Sequence, residues 1–382
     1  MSLLELMGHP LVILAVAWLT IYLILRFALK WEPRGLKLYP LGILLKSERA
    51  LWIFDRITSA IPSLIKVSSD LGVALGFGMM GFAIYILAKN LGTYLFAPAQ
   101  VGPQNIVLPL VIGVTIRFEH LPYMLLALGI ILITHEGMHG LIARLEGVRL
   151  KSTGFFLFYV FPGGFVEPDE EEFKKAPSKT KARVAAGGSF ANLFVGLAAL
   201  FLMLSVFSPV EAGIIVTGAE AGSLLRVNDV VFAVNDVAVN RTTLYQNISA
   251  SRVLVIKTSR GDLTYRLEEP MNMPLAQVLR MLGVTHIAYY FPMKAGLGDP
   301  LLEHSLYRLL SWIQLLGINV AIFNMLPIYF LDGSLLVNAL LEKLIRSEKT
   351  LKAFNFALTA FSIALIALNI GFTFKTFGFL QL

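Results

Sequence analysis

Six stretches of the chain are apolar over a length that can cross a bilayer, which takes about 20 residues at 1.5 Å rise each. They run from Leu11 to Leu29, Leu71 to Ala88, Leu121 to Ile142, Val184 to Ser208, Leu309 to Leu326 and Ala353 to Phe374. Arg26 interrupts the first near its end, where a long side chain carries its charge out to the interface. That stretch is not made like a signal peptide: the tail before it holds Glu5 and no Lys or Arg, and no small-residue cleavage pattern follows. Gly72 and Gly76 in the second stretch would let a neighbouring helix approach closely.

Composition supports the same class. Hydrophobic residues make up 56% of the chain and charged ones 15%, against about 25% charged in an ordinary soluble domain. Mean hydropathy is +0.72. The expected fold is therefore an α-helical polytopic membrane protein with about six transmembrane helices. The absence of cysteine removes disulfide scaffolds, thiolate metal sites and cysteine nucleophiles together.

The net charge is +7, and its distribution orients the spans. Residues 26–70 hold eight Lys and Arg, 144–183 hold eight and 327–352 hold four. Residues 1–10 hold none, 89–120 two and 373–382 one. Short basic loops stay on the cytoplasmic side, so both termini are expected outside the cytoplasm. The nine basic residues of 209–308 lie in a segment too long for the rule to apply. Because the basic residues flank membrane spans, the basic balance does not indicate nucleic-acid binding.

Two segments outside the spans have strand character. Gly213–Thr217, Val230–Val234 and Arg252–Lys257 are β-rich runs, with Asn228-Asp229 and Asn235-Asp236 as turns. They predict a small β-rich extracytoplasmic insert. Leu225 to Asp236 resembles the loop and strand of a PDZ domain, a fold that binds peptides by adding a strand to a sheet edge. The plain alternative is a spacer without a ligand. Gly154 to Val166 is too short to span, and Pro162-Gly163-Gly164 is expected to break it into the two arms of a membrane-associated β-hairpin. The predicted division is 1–120 with two spans and a cytoplasmic loop, 121–208 as a first half of the core, 209–270 as the insert, 271–304 as a linker, and 305–382 as the second half.

The third span carries ionisable groups that hydrocarbon does not tolerate without a purpose: His135-Glu136-Gly137-Met138-His139. Helix positions four apart project from one face, a spacing that suits two imidazole ligands of one zinc. Glu136 lies beside them, where it can take a proton from water at the metal. A third protein ligand is expected. His9, His120, His286 and His304 all fall in segments predicted to face outward. Asp332 is the best candidate: it follows the fifth span after Pro327, and Gly333 permits a turn that aims the carboxylate back. Taken alone, an Asp-Gly after a helix is equally an ordinary turn. Asn192 and Asn324 are further polar residues among apolar neighbours. Each bridges helices or orients substrate.

HExxH in one span, Gly187 to Asn192 as Gly-Gly-x-x-x-Asn in the next, and Asn324 to Gly333 as Asn-x-x-Pro-x-x-x-Leu-Asp-Gly later resemble the site-2 protease family. Within it, Trp18 to Lys30 and the Gly154–Val166 stretch look like the membrane-bound transcription factor site-2 protease branch, in a prokaryotic version without the cysteine-rich insertion of the animal enzymes. The resemblance implies an intramembrane zinc endopeptidase with His135, His139 and Asp332 as Zn2+ ligands, Glu136 as general base, and Asn192 and Asn324 as site residues. Its substrate would be a single-span membrane protein already trimmed by another protease, cut in or near its transmembrane segment toward the cytoplasmic side. Phe161, Gly163 and Gly164 of the hairpin are candidates for holding the unwound strand. The rival class is a metal-ion or solute transporter that uses the same His, Glu and Asp as a path.

Overall fold

The computed structural model describes residues 10–30, 35–159 and 161–380. Contacts divide the chain into two compact units, residues 1–197 with 312–382, and residues 198–311. In the first, α1 (Pro10–Leu23) continues as a wider π turn through Ala28. A hairpin, β1 (Leu36–Tyr39) and β2 (Gly42–Ser47), follows, then α2 (Trp52–Ala60) and α3 (Pro62–Phe96). Next come α4 (Leu121–Leu145), β3 (Leu150–Phe158), β4 (Phe161–Pro168), the short α5 (Glu170–Lys175) and α6 (Ser178–Val206). Pro62 stands at the first turn of α3, where a missing N–H costs nothing. Asp169 caps α5, accepting from the N–H groups of Glu171 and Glu172.

The second unit contains β5 (Gly213–Ala219), β6 (Val230–Val234), β7 (Val237–Ala238), β8 (Asn247–Ala250), β9 (Val253–Thr258), β10 (Gly261–Arg266) and β11 (Met271–Pro274). It also holds α7 (Leu275–Met281) and β12 (Val284–Tyr290). Then α8 (Pro300–Asn324), α9 (Asp332–Leu341) and α10 (Glu348–Phe377) follow in the chain, the last two in the first unit.

Among the described residues five helices, α3, α4, α6, α8 and α10, are long and apolar enough to cross a membrane. They match five of the six predicted spans; the first predicted span is an apolar helix of shorter length, Val12–Ala28. Polar contacts tie the long helices together, one around the buried Arg183 with the exposed Asp70 and one buried between amides. Arg183 on α6 bonds Asp70 on α3 at 2.6 and 2.7 Å and Glu146 after α4 at 2.5 Å. Asn90 on α3 donates to Asn369 on α10 at 2.8 Å and to the Asn105 carbonyl at 2.9 Å. Where water is absent, a satisfied polar contact of this kind fixes a helix pair as an apolar one cannot.

The hairpin is larger than its sequence suggests. β1, β2, β3 and β4 form one antiparallel sheet in that order, so β4 is an edge strand. β3 ends at Phe158, followed by Tyr159 with positive φ, and Pro162-Gly163-Gly164 lie inside β4 and not at the turn. Gly163 is there because a Cβ would enter the Phe156 ring across the strand pair.

The β-rich unit is built on a sheet of order β10-β9-β6-β5-β12, with β7 pairing β6. Asn235 and Asp236 make the β6–β7 turn, both with positive φ, as a two-residue hairpin turn requires. The segment expected to be a linker is part of this fold up to Tyr290. Leu275, Val278, Leu279, Leu282 and Val284 enter the same core as Ile214, Val231 and Ile256. Burial alone would raise the Asp229 carboxyl, but hydrogen bonds from Arg260 and from the Arg226 N–H hold it below the usual range.

Candidate metal centre

His135 and His139 occupy one face of α4, and Asp332 opens α9. Asp332 reaches them because the chain folds back on itself after α8. Gly333 makes that return possible through close approach: it is helical, and a Cβ on it would stand 2.5 Å from the Leu326 carbonyl oxygen. Asp332 Oδ2 lies 3.2 Å from His135 Nε2 and 3.2 Å from His139 Nε2, and the two ring nitrogens are 3.1 Å apart. Three donor atoms in a nearly equilateral triangle have the spacing of a metal site: tetrahedral zinc ligands at roughly 2.0–2.1 Å stand about 3.3 Å from one another. Among the described residues, this is the one group of His, Asp and Glu with that convergence.

The donor set fits as well. His139 Nδ1 lies 2.6 Å from the Val184 carbonyl, which can only accept, so that nitrogen carries the proton and Nε2 keeps its lone pair for a cation. Asn324 donates its amide to Asp332 Oδ2 at 2.8 Å, with Ser189 Oγ 3.4 Å away. Asn192, fully buried, has Nδ2 3.0 Å from His135 Nδ1.

α6 meets the motif along one stripe. Val184, Gly188 and Asn192 recur every four residues and share a face. Gly188 admits the imidazoles: a Cβ there would stand 2.6 Å from His135 Cε1 and closer still to His139 Nε2.

β4 crosses the same helix. Glu136 Oε2 is 3.4 Å from the Val166 N–H, and the Cβ position of Gly164 is 3.7 Å from Glu136 Cγ. Residues 123–368 match peptidase family M50.

The chain belongs to peptidase family M50, the site-2 proteases. Among the relatives it matches are an uncharacterized protein of Methanocaldococcus jannaschii, 28% identical over 228 residues, covering 58% of this chain and 57% of the relative. Another is the membrane-bound transcription factor site-2 protease homolog of Arabidopsis thaliana, 25% identical over 222 residues, covering 54% and 42%. The chain spans about half the length of these relatives.

In this M50 chain the structure brings together His135, His139, Asp332, Glu136, Asn192, Asn324 and Gly164. Phe161 and Gly163 stand opposite Phe158 and Phe156 of β3. Val184 and Ser189 are the contributions that motif reading passed over; Gly188 is the second glycine of the Gly187–Asn192 motif, and the Val184 contribution is a backbone carbonyl.

Proposed function

We propose that the chain is an intramembrane zinc endopeptidase that cuts a peptide bond in or near the transmembrane segment of single-span membrane proteins. The observation that carries this reading is the convergence of His135, His139 and Asp332 on one point, with Glu136 beneath an open strand edge. Membership of M50 weighs against the transporter reading of the same side chains.

Zinc bound by the three side chains supplies Lewis acidity to the scissile carbonyl and to the attacking water. Glu136 accepts the proton that the water gives up and returns it to the departing amide nitrogen, so the products are one carboxylic acid and one amine. Asn324 steadies the Asp332 carboxylate through its amide N–H.

A helical substrate hides its peptide bonds in its own hydrogen bonds, and unwinding it in hydrocarbon costs several kcal/mol for each group left unpaired. The open edge of β4 offers replacements. Pro162 has no N–H, and the Val166 N–H points at Glu136, away from β3. Alternation along the strand therefore turns the groups of Pro162, Gly164 and Val166 outward. The Gly164 N–H and three carbonyls then line up along the HExxH helix, the Val166 N–H being directed at Glu136. Phe155, Phe158 and Phe161 of the same hairpin are exposed, as rings facing lipid would be. The basic loops favour a cytoplasmic position for this end of the molecule, with both termini outside.

The full chain in vesicles, given a single-span peptide, should release two products whose masses place the cut in or beside the apolar segment. Cuts confined to soluble portions, or zinc flux without cutting, would contradict this reading. Gly164→Pro removes one outward N–H and should lower kcat about 5–150-fold, the worth of one buried hydrogen bond of about 1–3 kcal/mol. Zinc content should stay normal; its loss would mean that β4 is a structural element.

Gly188→Ala should displace both imidazoles and lower zinc content on metal analysis, with unchanged content ruling out the tight approach of α6. The β-rich unit suits a size filter or a reader of the trimmed substrate end. Removing 211–290 should therefore let untrimmed substrates be cut, and unchanged selectivity would end that assignment.

A further inference from the structure

Asn192 stands fully buried on the stripe of α6 that faces the HExxH helix, and its Oδ1 has no hydrogen-bond partner. Its Nδ2 is the atom turned toward His135 Nδ1, at 3.0 Å. With Nδ2 there, the ring must accept at Nδ1 and carry its proton on Nε2. That proton would sit inside the triangle with Asp332 and His139, where a cation has to enter. A neutral imidazole that gives Nε2 to a metal carries its proton on Nδ1, and needs an acceptor beside it. The two ends of an amide are nearly equal in shape, so a half-turn about the last side-chain bond exchanges them without other movement. It brings the unpartnered Oδ1 to that acceptor position.

We propose that Asn192 is a positioning residue for the metal centre. Its Oδ1 accepts the Nδ1–H of His135, fixing the tautomer and the ring plane so that Nε2 points at the cation. The inference rests on the reading of His135 as a zinc ligand. It gives the two imidazoles matching supports from one helix, the Val184 carbonyl for His139 and the Asn192 amide for His135. The spacing of eight residues between those supports places them two turns apart on one face of α6.

The test uses the full chain in detergent and two substitutions. Asn192→Leu keeps the bulk and removes the acceptor, whereas Asn192→Asp keeps an oxygen acceptor. Zinc affinity is read by competition with a chromogenic chelator, the ligand field by the visible spectrum after Co2+ substitution, and folding by the melting temperature in EDTA. Asn192→Leu should bind zinc about 10–100-fold more weakly, the usual cost of losing such a support, with its EDTA melt no lower than that of the parent. Asn192→Asp should restore the affinity and the Co2+ spectrum. Parental affinity in Asn192→Leu, or an equal loss in both variants, would overturn the inference and leave the metal reading standing. A parent chain that takes up no zinc would overturn the metal reading, and this inference with it.

Discussion

Glu136→Gln should keep its full complement of zinc and lose cleavage by about 10²–10⁴-fold, nearly all of it in kcat. The substitution is almost isosteric, and a Gln carbonyl can still accept the Val166 N–H that now meets Glu136 Oε2 at 3.4 Å. The contact between β4 and the HExxH helix is then preserved, and what disappears is the ability to take a proton. His135, His139 and Asp332 are untouched, so the metal should remain. A fall in zinc content equal to the fall in rate would make Glu136 a ligand. Undiminished cleavage would move the base elsewhere.

Asp332→Asn should abolish stable zinc binding, with a loss larger than the 10–100-fold expected for a mere hydrogen-bond support. The amide keeps the size of the carboxylate, and Asn324 can still bond its oxygen. The anionic oxygen 3.2 Å from both imidazoles is gone. Asp332 also opens α9, where a negative charge favours the helix by about 0.3–1 kcal/mol, so folding should suffer little. Metal analysis paired with a melt in EDTA separates the two effects. A variant that retains zinc would exclude Asp332 as the third ligand.

Much of this arrangement was legible because its determinants are local. Apolar runs of bilayer length mark α3, α4, α6, α8 and α10 directly, and the four-residue spacing of His135 and His139 needs nothing beyond helix geometry. Asp332 was approachable through Pro327 and the side on which the fifth span ends, although Gly333 serves by admitting the Leu326 carbonyl and not by a special φ. Features set by distant contacts were not legible. Leu36–Ser47 joins β3 by pairing with residues more than a hundred positions later, which no local pattern encodes. At Pro162-Gly163-Gly164 the same residues signal both a turn and close approach. The Phe156 ring over Gly163 decides for the second at that position, whereas a Cβ at Gly164 would meet Glu136 only at ordinary contact distance. The Val184 carbonyl is a backbone group, invisible to residue typing until α6 is laid against α4.

X-ray absorption at the zinc edge of the purified, zinc-loaded full chain tests the central claim most directly. One zinc per chain, with two imidazole nitrogens and carboxylate or water oxygens at roughly 2.0–2.1 Å and no sulfur, is the predicted result. A spectrum with a single imidazole, or one unchanged when Asp332 is replaced by Asn, would contradict it.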